Sequence, residues 1–128
     1  MADRPTITTG RFSDRAIDNS DGARERIRAM MPTMIRSIML LKFTPEATEA
    51  QIDAFAAALA AVPFERRRHF EFHRDARLTD DAMDAAIIAE FDDDEAYRAW
   101  LDDPDHDKVR SEYLAPIRAQ RERILIRF

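Results

Sequence analysis

An α+β fold, one four-stranded antiparallel sheet with helices on a single face, is what this 128-residue sequence predicts. Three observations predict it. Short apolar or alternating segments at 34–43, 67–75, 85–91 and 123–128 read as strands. Two helical stretches with their own capping residues fall between the first and second strands and between the third and fourth. The strands at 34–43 and 85–91 are apolar on both faces, whereas the helices can cover only one.

The first strand, "MIRSIMLLKF", places Ser37, Met39, Leu41 and Phe43 on one face and Ile38, Leu40 and Lys42 on the other. A helix follows. Thr48 and Gln51 have the spacing of a capping box, in which each side chain satisfies the other's backbone N–H. Ile52, Phe55, Ala56, Leu59 and Val62 then recur on one side, and Pro63 ends the helix. "RRHFEFHRD" alternates strictly, with Phe70 and Phe72 opposed to His69, Glu71 and His73. "LTDDAMD" is a polar turn, and "AAIIAEF" is a third strand. Asp92, Asp93 and Asp94 offer an N-cap and negative charge to a short helix with Ala96, Tyr97 and Trp100 inward. Asp103 and Pro104 begin a second helical piece, with Val109, Tyr113, Leu114 and Ile117 spaced to face a core. "RILIRF" closes the chain as the fourth strand.

The order β-α-β-β-α-β is the ferredoxin-like arrangement. It leaves one sheet face without helices, and here that face is expected to carry Ile38, Leu40, Ala86, Ile88 and Leu125. A second copy of the same sheet is the economical cover. Two sheets packed face to face make a homodimeric α+β barrel. The sheet is expected to be antiparallel in kind, but with its first and third strands as parallel neighbours. Lys42 and Glu90 would then approach within ion-pair reach at one end of the open face.

The composition, 45% hydrophobic and 35% charged, suits one domain with a real core. A net charge of −5 opposes nucleic acid, and the run Arg66–Arg68 reads as a solvated loop. No cysteine is present, so thiolate chemistry and disulfides are excluded. No apolar run approaches a membrane span, and no signal or transit segment is expected, so the cytoplasm is the expected location. Residues 1–33 read as an N-terminal arm preceding a domain at 34–128. "RERIRAMM" could form a helical turn or two, and Met30, Met31 or Met34 is an alternative start.

Three segments, "MIRSIMLLKFTPEATEAQIDAF", "AAIIAEFDDDEAYRAWLDDPDHDKVRSEYLAPI" and the terminal apolar strand, resemble the stress-responsive A/B barrel (Dabb) family. "LLKF" before "TPEAT", and "PDHDKVRSEYLAPI", are its most specific marks. The likeness covers 34–128 and implies a dimeric α+β barrel. A plant polyketide cyclase of this family works without a cofactor, using a tyrosine and a histidine. The resemblance places that histidine at His106 and the tyrosine at Trp100, whose indole cannot act as a phenol. It implies ligand-lining positions at Ser37, Met39, Leu41, Phe55, Leu59, Ile87, Trp100 and Val109. All but Ser37 are apolar and fit a plain core equally well.

His106 is the candidate catalytic residue. In the first turn of a helix its ring is held neutral by the helix dipole, while Asp102, Asp103, Asp105 and Asp107 favour the cation; the residues do not decide between them. The plainer reading, a first-turn histidine bonded to backbone or carboxylate, outweighs chemistry, and the resemblance is what brings the catalytic reading forward. His69, Glu71 and His73 are too far apart along one strand for one metal to take all three, and read as the polar face of an edge strand. The aspartate clusters lack a calcium-loop pattern and read as helix caps. No metal or cofactor is expected. Three functions stay open: a homodimer binding a small, largely apolar ligand between sheet and helices, a cofactor-free enzyme with His106 as acid or base on a carbonyl or polyketide-like substrate, and a structural, stress-related assembly protein.

Overall fold

The computed structural model describes residues 32–128, together with Gly22, Ala23 and Arg26. The expected arm at 1–33 therefore lies almost wholly outside the described residues. The unit Thr33–Phe128 is taken by itself. Its elements run β1 (Ile35–Phe43), α1 (Glu49–Ala61), β2 (Arg67–Arg74), β3 (Ala85–Phe91), α2 (Asp94–Asp102), α3 (Pro104–Val109), a π turn (Arg110–Leu114) and β4 (Arg118–Arg127). The fold is the ferredoxin-like α+β arrangement expected from the sequence.

The helix starts follow their caps. Thr48 accepts from the Gln51 N–H at 3.1 Å, and the Gln51 side chain accepts from the Thr48 N–H at 2.9 Å, closing the capping box. Asp93 accepts from the Ala96 N–H at 2.8 Å to begin α2. Asp103 accepts from the His106 N–H at 3.0 Å to begin α3, with Pro104 in the first turn. Arg67 closes the other end of α1. Its guanidinium donates to the carbonyls of Leu59 and Ala60 at 3.0 and 2.9 Å, groups that the last turn of a helix leaves unsatisfied. The Arg66–Arg68 run is thus no solvated loop: Arg68 also pairs with Asp92 at 2.6 Å.

Strand order is β2-β3-β1-β4, and every neighbouring pair is antiparallel. This corrects the expected parallel pairing of the first and third strands. The α1 crossover makes β1 and β2 run the same way, and the β2–β3 connection then returns β3 between them, opposed to both. Lys42 and Glu90 share the open face but stand at opposite ends. Lys42 donates to the Ala82 carbonyl at 3.3 Å, while Glu90 pairs with Arg36 at 2.8 Å. At the Lys42 end, Asp84 accepts from the Phe43 N–H at 2.7 Å and pairs with Arg77 at 2.6 Å, fastening the β2–β3 loop to β1.

Two more expectations change at the C-terminus. β4 begins at Arg118, five residues before "RILIRF", because the polar "RAQRE" pairs with β1 all the same. Its register sets Leu125 opposite Ser37 and Ile124 opposite Ile38. Directly opposed residues share a face, so Leu125 lies on the helix side and Ile124 takes its expected place on the open face. Tyr113, expected in the core, is 40% exposed. The π turn is the reason: the Ala115 N–H bonds to the Arg110 carbonyl, five residues back at 2.9 Å, and the wider turn keeps Leu114 inward, as expected, while Tyr113 turns outward.

Between sheet and helices lies a core centred on Leu41, Phe55, Phe91 and Ile117, all nearly inaccessible. Phe91 touches Tyr97 and Trp100 with ring centres 5.4 and 5.7 Å apart, and Phe64 meets Trp100 at 5.3 Å. On the opposite face the register forms rows across four strands. One row reads Glu71, Ile88, Ile38, Ile124. The next reads His73, Ala86, Leu40, Glu122, and the third His69, Glu90, Arg36, Ile126. The first row is aliphatic on β3, β1 and β4, the second carries Ala86 and Leu40 at its centre, and the third carries the Arg36–Glu90 pair on the two central strands. Leu40 is 38% exposed and Ile124 58% exposed.

Candidate functional site

His106 sits where α2 hands over to α3. It is 6% exposed, and its ring stacks on Trp100, centres 3.9 Å apart and planes 16° from parallel. Its Nδ1 lies 2.7 Å from the Trp100 carbonyl oxygen. A carbonyl can only accept, so Nδ1 carries the proton and the neutral ring keeps Nε2 as its one acceptor.

Burial, rather than the helix dipole or the nearby aspartates, decides the charge. It pushes the imidazole down from 6.5 to about 4; the bond to Trp100 and the charge of Asp103 oppose this, and Arg110 and Arg123 add to it. Asp102, Asp105 and Asp107 are exposed. At neutral pH the ring is uncharged.

A histidine with a depressed pKa binds its proton more weakly in the folded state than in the unfolded one. Its contribution to stability is complete above pH 6.5 and is lost as pH falls towards 4. The loss amounts to about 3 kcal/mol. His106→Asn, whose amide can still donate to the Trp100 carbonyl, should flatten this part of the curve. Urea unfolding of both proteins across that window measures the difference; equal slopes would remove His106 as the cause.

Ser37, Met39, Phe55, Leu59, Ile87, Trp100 and His106 line one narrow cavity of about 40 Å³ between sheet and helices. A space of that size holds roughly three water molecules. Leu41 and Val109, the remaining expected ligand positions, are buried core residues outside the lining. Phe70, Phe91, Tyr97 and Leu101 complete its apolar wall, and Arg110, Arg121 and Arg123 its polar side. The arginines were not foreseen. Starting β4 at residue 123 hid the fact that Arg121 and Arg123 lie on the helix side, opposite Leu41 and Met39. Arg110 donates to the Leu101 carbonyl at 2.9 Å and pairs with Asp107 at 3.1 Å. Partial burial holds the Arg121 guanidinium below its usual range, and the charges of Arg123, Arg118 and Arg110 lower it further.

His69 and His73 do not join this site. On the open face, both Nε2 atoms bond to the Glu71 carboxylate, the His73 contact at 2.7 Å. Among the described residues no group of three or more histidines and carboxylates is placed to hold a metal ion. No helix among them is long and apolar enough to cross a membrane.

Comparison with known proteins places the chain. The model of the Stress responsive A/B Barrel Domain matches residues 35–125. A dimeric ferredoxin-like protein of unknown function from Thermobifida fusca is 26% identical over 76% of this chain and 92% of its own, with a TM-score of 0.67. A Dabb family protein with a ferredoxin-like fold from Mesorhizobium loti is 22% identical over 73% of this chain and 95% of its own, TM-score 0.61. The hydroxynitrile lyase of Passiflora edulis shares the fold at 14% identity, covering 76% of this chain and 94% of its own, TM-score 0.68. No functionally curated protein matches. With the family model spanning residues 35–125, most of the chain, this protein belongs to the Stress responsive A/B Barrel Domain (Dabb) family.

Proposed function

We propose that the protein is a cytoplasmic homodimer that holds a small, largely apolar molecule between its sheet and its helices. Residues 34–128 form the working domain, and residues 1–33 an arm. The observation that carries the binding role is the lined cavity: aromatic and aliphatic side chains on most sides, with a buried neutral histidine and arginines at one side. Such a mixture of apolar wall and a few polar groups is what small-molecule sites use.

Pairing is supported by the open face. Its aliphatic row Ile88–Ile38–Ile124 spans three strands without a covering helix. Four strands of this length present roughly 500 Å² in projection. That is the whole face, charged residues included, and it approaches one partner's share of an ordinary interface, about 800 Å². The Thermobifida fusca neighbour is itself dimeric.

Trp100, the chain's only tryptophan, reports on the cavity wall. Benzamide, a neutral ring larger than the space of about 40 Å³ and so able to enter only as the walls part, should change its fluorescence saturably. Ala89→Leu, at a small residue of the lining, fills the space without adding a second tryptophan and should abolish that response. A linear, unsaturable response in the unaltered protein would remove the binding role.

A second reading has its own observation. The neutral His106 ring keeps Nε2 as an acceptor while its other nitrogen is fixed by the Trp100 carbonyl. A fixed tautomer with one acceptor nitrogen is the geometry of a general base, although a pKa of about 4 makes it a weak base in the free protein. In that reading the protein is a cofactor-free enzyme acting on a carbonyl compound. Turnover that persists unchanged in His106→Ala would eliminate it.

A further inference from the structure

We infer that the molecule held in this cavity carries an oxyanion, a carboxylate or a phosphate, seated against Arg121 and Arg123. The inference rests on the binding role proposed above and adds the ligand's chemical class.

The argument begins with pairing. Arg36, Arg68, Arg74, Arg77 and Arg127 each have a carboxylate within 3.5 Å or less. Arg121 and Arg123 have none among the described residues. Partners are not scarce, since the chain holds 25 acidic residues against 20 basic ones. Glu122 stands between the two in sequence, but its register opposite Leu40 sends it to the other face, where it accepts from Gln120 at 3.3 Å. Arg66, Arg67, Arg98 and Arg118 are likewise without a carboxylate among the described residues, yet none of them lines the cavity.

Geometry adds the second part. Arg121 and Arg123 are two residues apart on one strand face, a rise of about 6.6 Å. One oxyanion between them can accept from both guanidiniums, and Arg110 stands on the same side of the cavity. The remaining wall is aromatic and aliphatic. This lining suits an apolar group that ends in an acid. The neutral ring of His106 adds no positive charge, so the arginines remain the source of the attraction.

The test compares benzoate and phenyl phosphate with benzamide, using calorimetry or Trp100 fluorescence at low salt. At least one anion should bind about tenfold or more tightly than benzamide, as charge-assisted hydrogen bonds would give. The tighter of the two names the head group. Replacing both arginines (Arg121→Gln with Arg123→Gln) should erase the advantage, so that the anions bind no more tightly than benzamide does to the same variant. Arg123→Gln alone should remove part of it, and urea midpoints show whether each variant remains folded. Anions that bind no better than benzamide, or an advantage that survives the double substitution, would overturn the inference and leave the neutral binding role standing. Failure of all three compounds to bind would overturn both.

Discussion

Ile38→Asp is expected to leave each chain folded and to weaken self-association by about a thousandfold or more, some 4 kcal/mol. Ile38 lies in the middle of the open face, with Ile88 on one side and Ile124 on the other. It points away from the helices, so a carboxylate there meets water in a single chain. In a face-to-face pair the same carboxylate is buried in an aliphatic row with no cation to meet it. Arg36, the nearest base on that strand face, is already held by Glu90 and stacks over the Phe128 ring at 4.2 Å. Ile38→Val keeps the face apolar and should scarcely alter association. Circular dichroism checks the fold, and sedimentation over a dilution series checks the association. A folded Ile38→Asp variant that associates as tightly as the unaltered chain would place the contact elsewhere.

Phe91→Ala should lower stability by about 3–5 kcal/mol, among the largest effects of any single truncation. Phe91 is wholly buried. Its ring makes edge contacts with Phe64 and Tyr97 and a tilted contact with Trp100. It therefore ties the last residue of β3 to α2 and to the loop after α1. Removing it also opens the cavity, whose wall it forms, so the neighbouring rings lose packing partners. Urea unfolding at one fixed protein concentration measures the loss, because any dimer adds a concentration-dependent part. A cost under about 1 kcal/mol would mean that the aromatic cluster repacks freely, contrary to a close-packed core.

The elements were largely legible in the residues because each carries its own local signal. The Thr48–Gln51 box, the Asp93 and Asp103 caps and the alternation of "RRHFEFHRD" each depend on neighbours in sequence, and each is present as read. The parity of β1 was equally local: Leu41 and Phe43 are buried and Leu40 is not. What went astray depends on partners far along the chain. Strand direction is set by the route of the crossover, which neither Lys42 nor Glu90 records. The start of β4 is set by pairing with β1, and "RAQRE" has no apolar alternation to announce it. The π turn at Arg110–Leu114 displaces Tyr113 by a single residue, and no composition signals it.

The candidate site divides the same way. Apolar lining positions such as Met39, Phe55 and Ile87 follow from strand and helix parity. The charge state of His106 does not, because burial outweighs the dipole and the aspartates that sequence alone brings to mind. Arg121 and Arg123 were invisible until the register of β4 placed them beside Met39 and Leu41.

The pairing of helix-free faces is tested most directly by sedimentation equilibrium of the unmodified chain at micromolar concentration. A mass about twice the 14.8 kDa of one chain is expected. A mass of 14.8 kDa, with Leu40 and Ile124 left facing water, would contradict it.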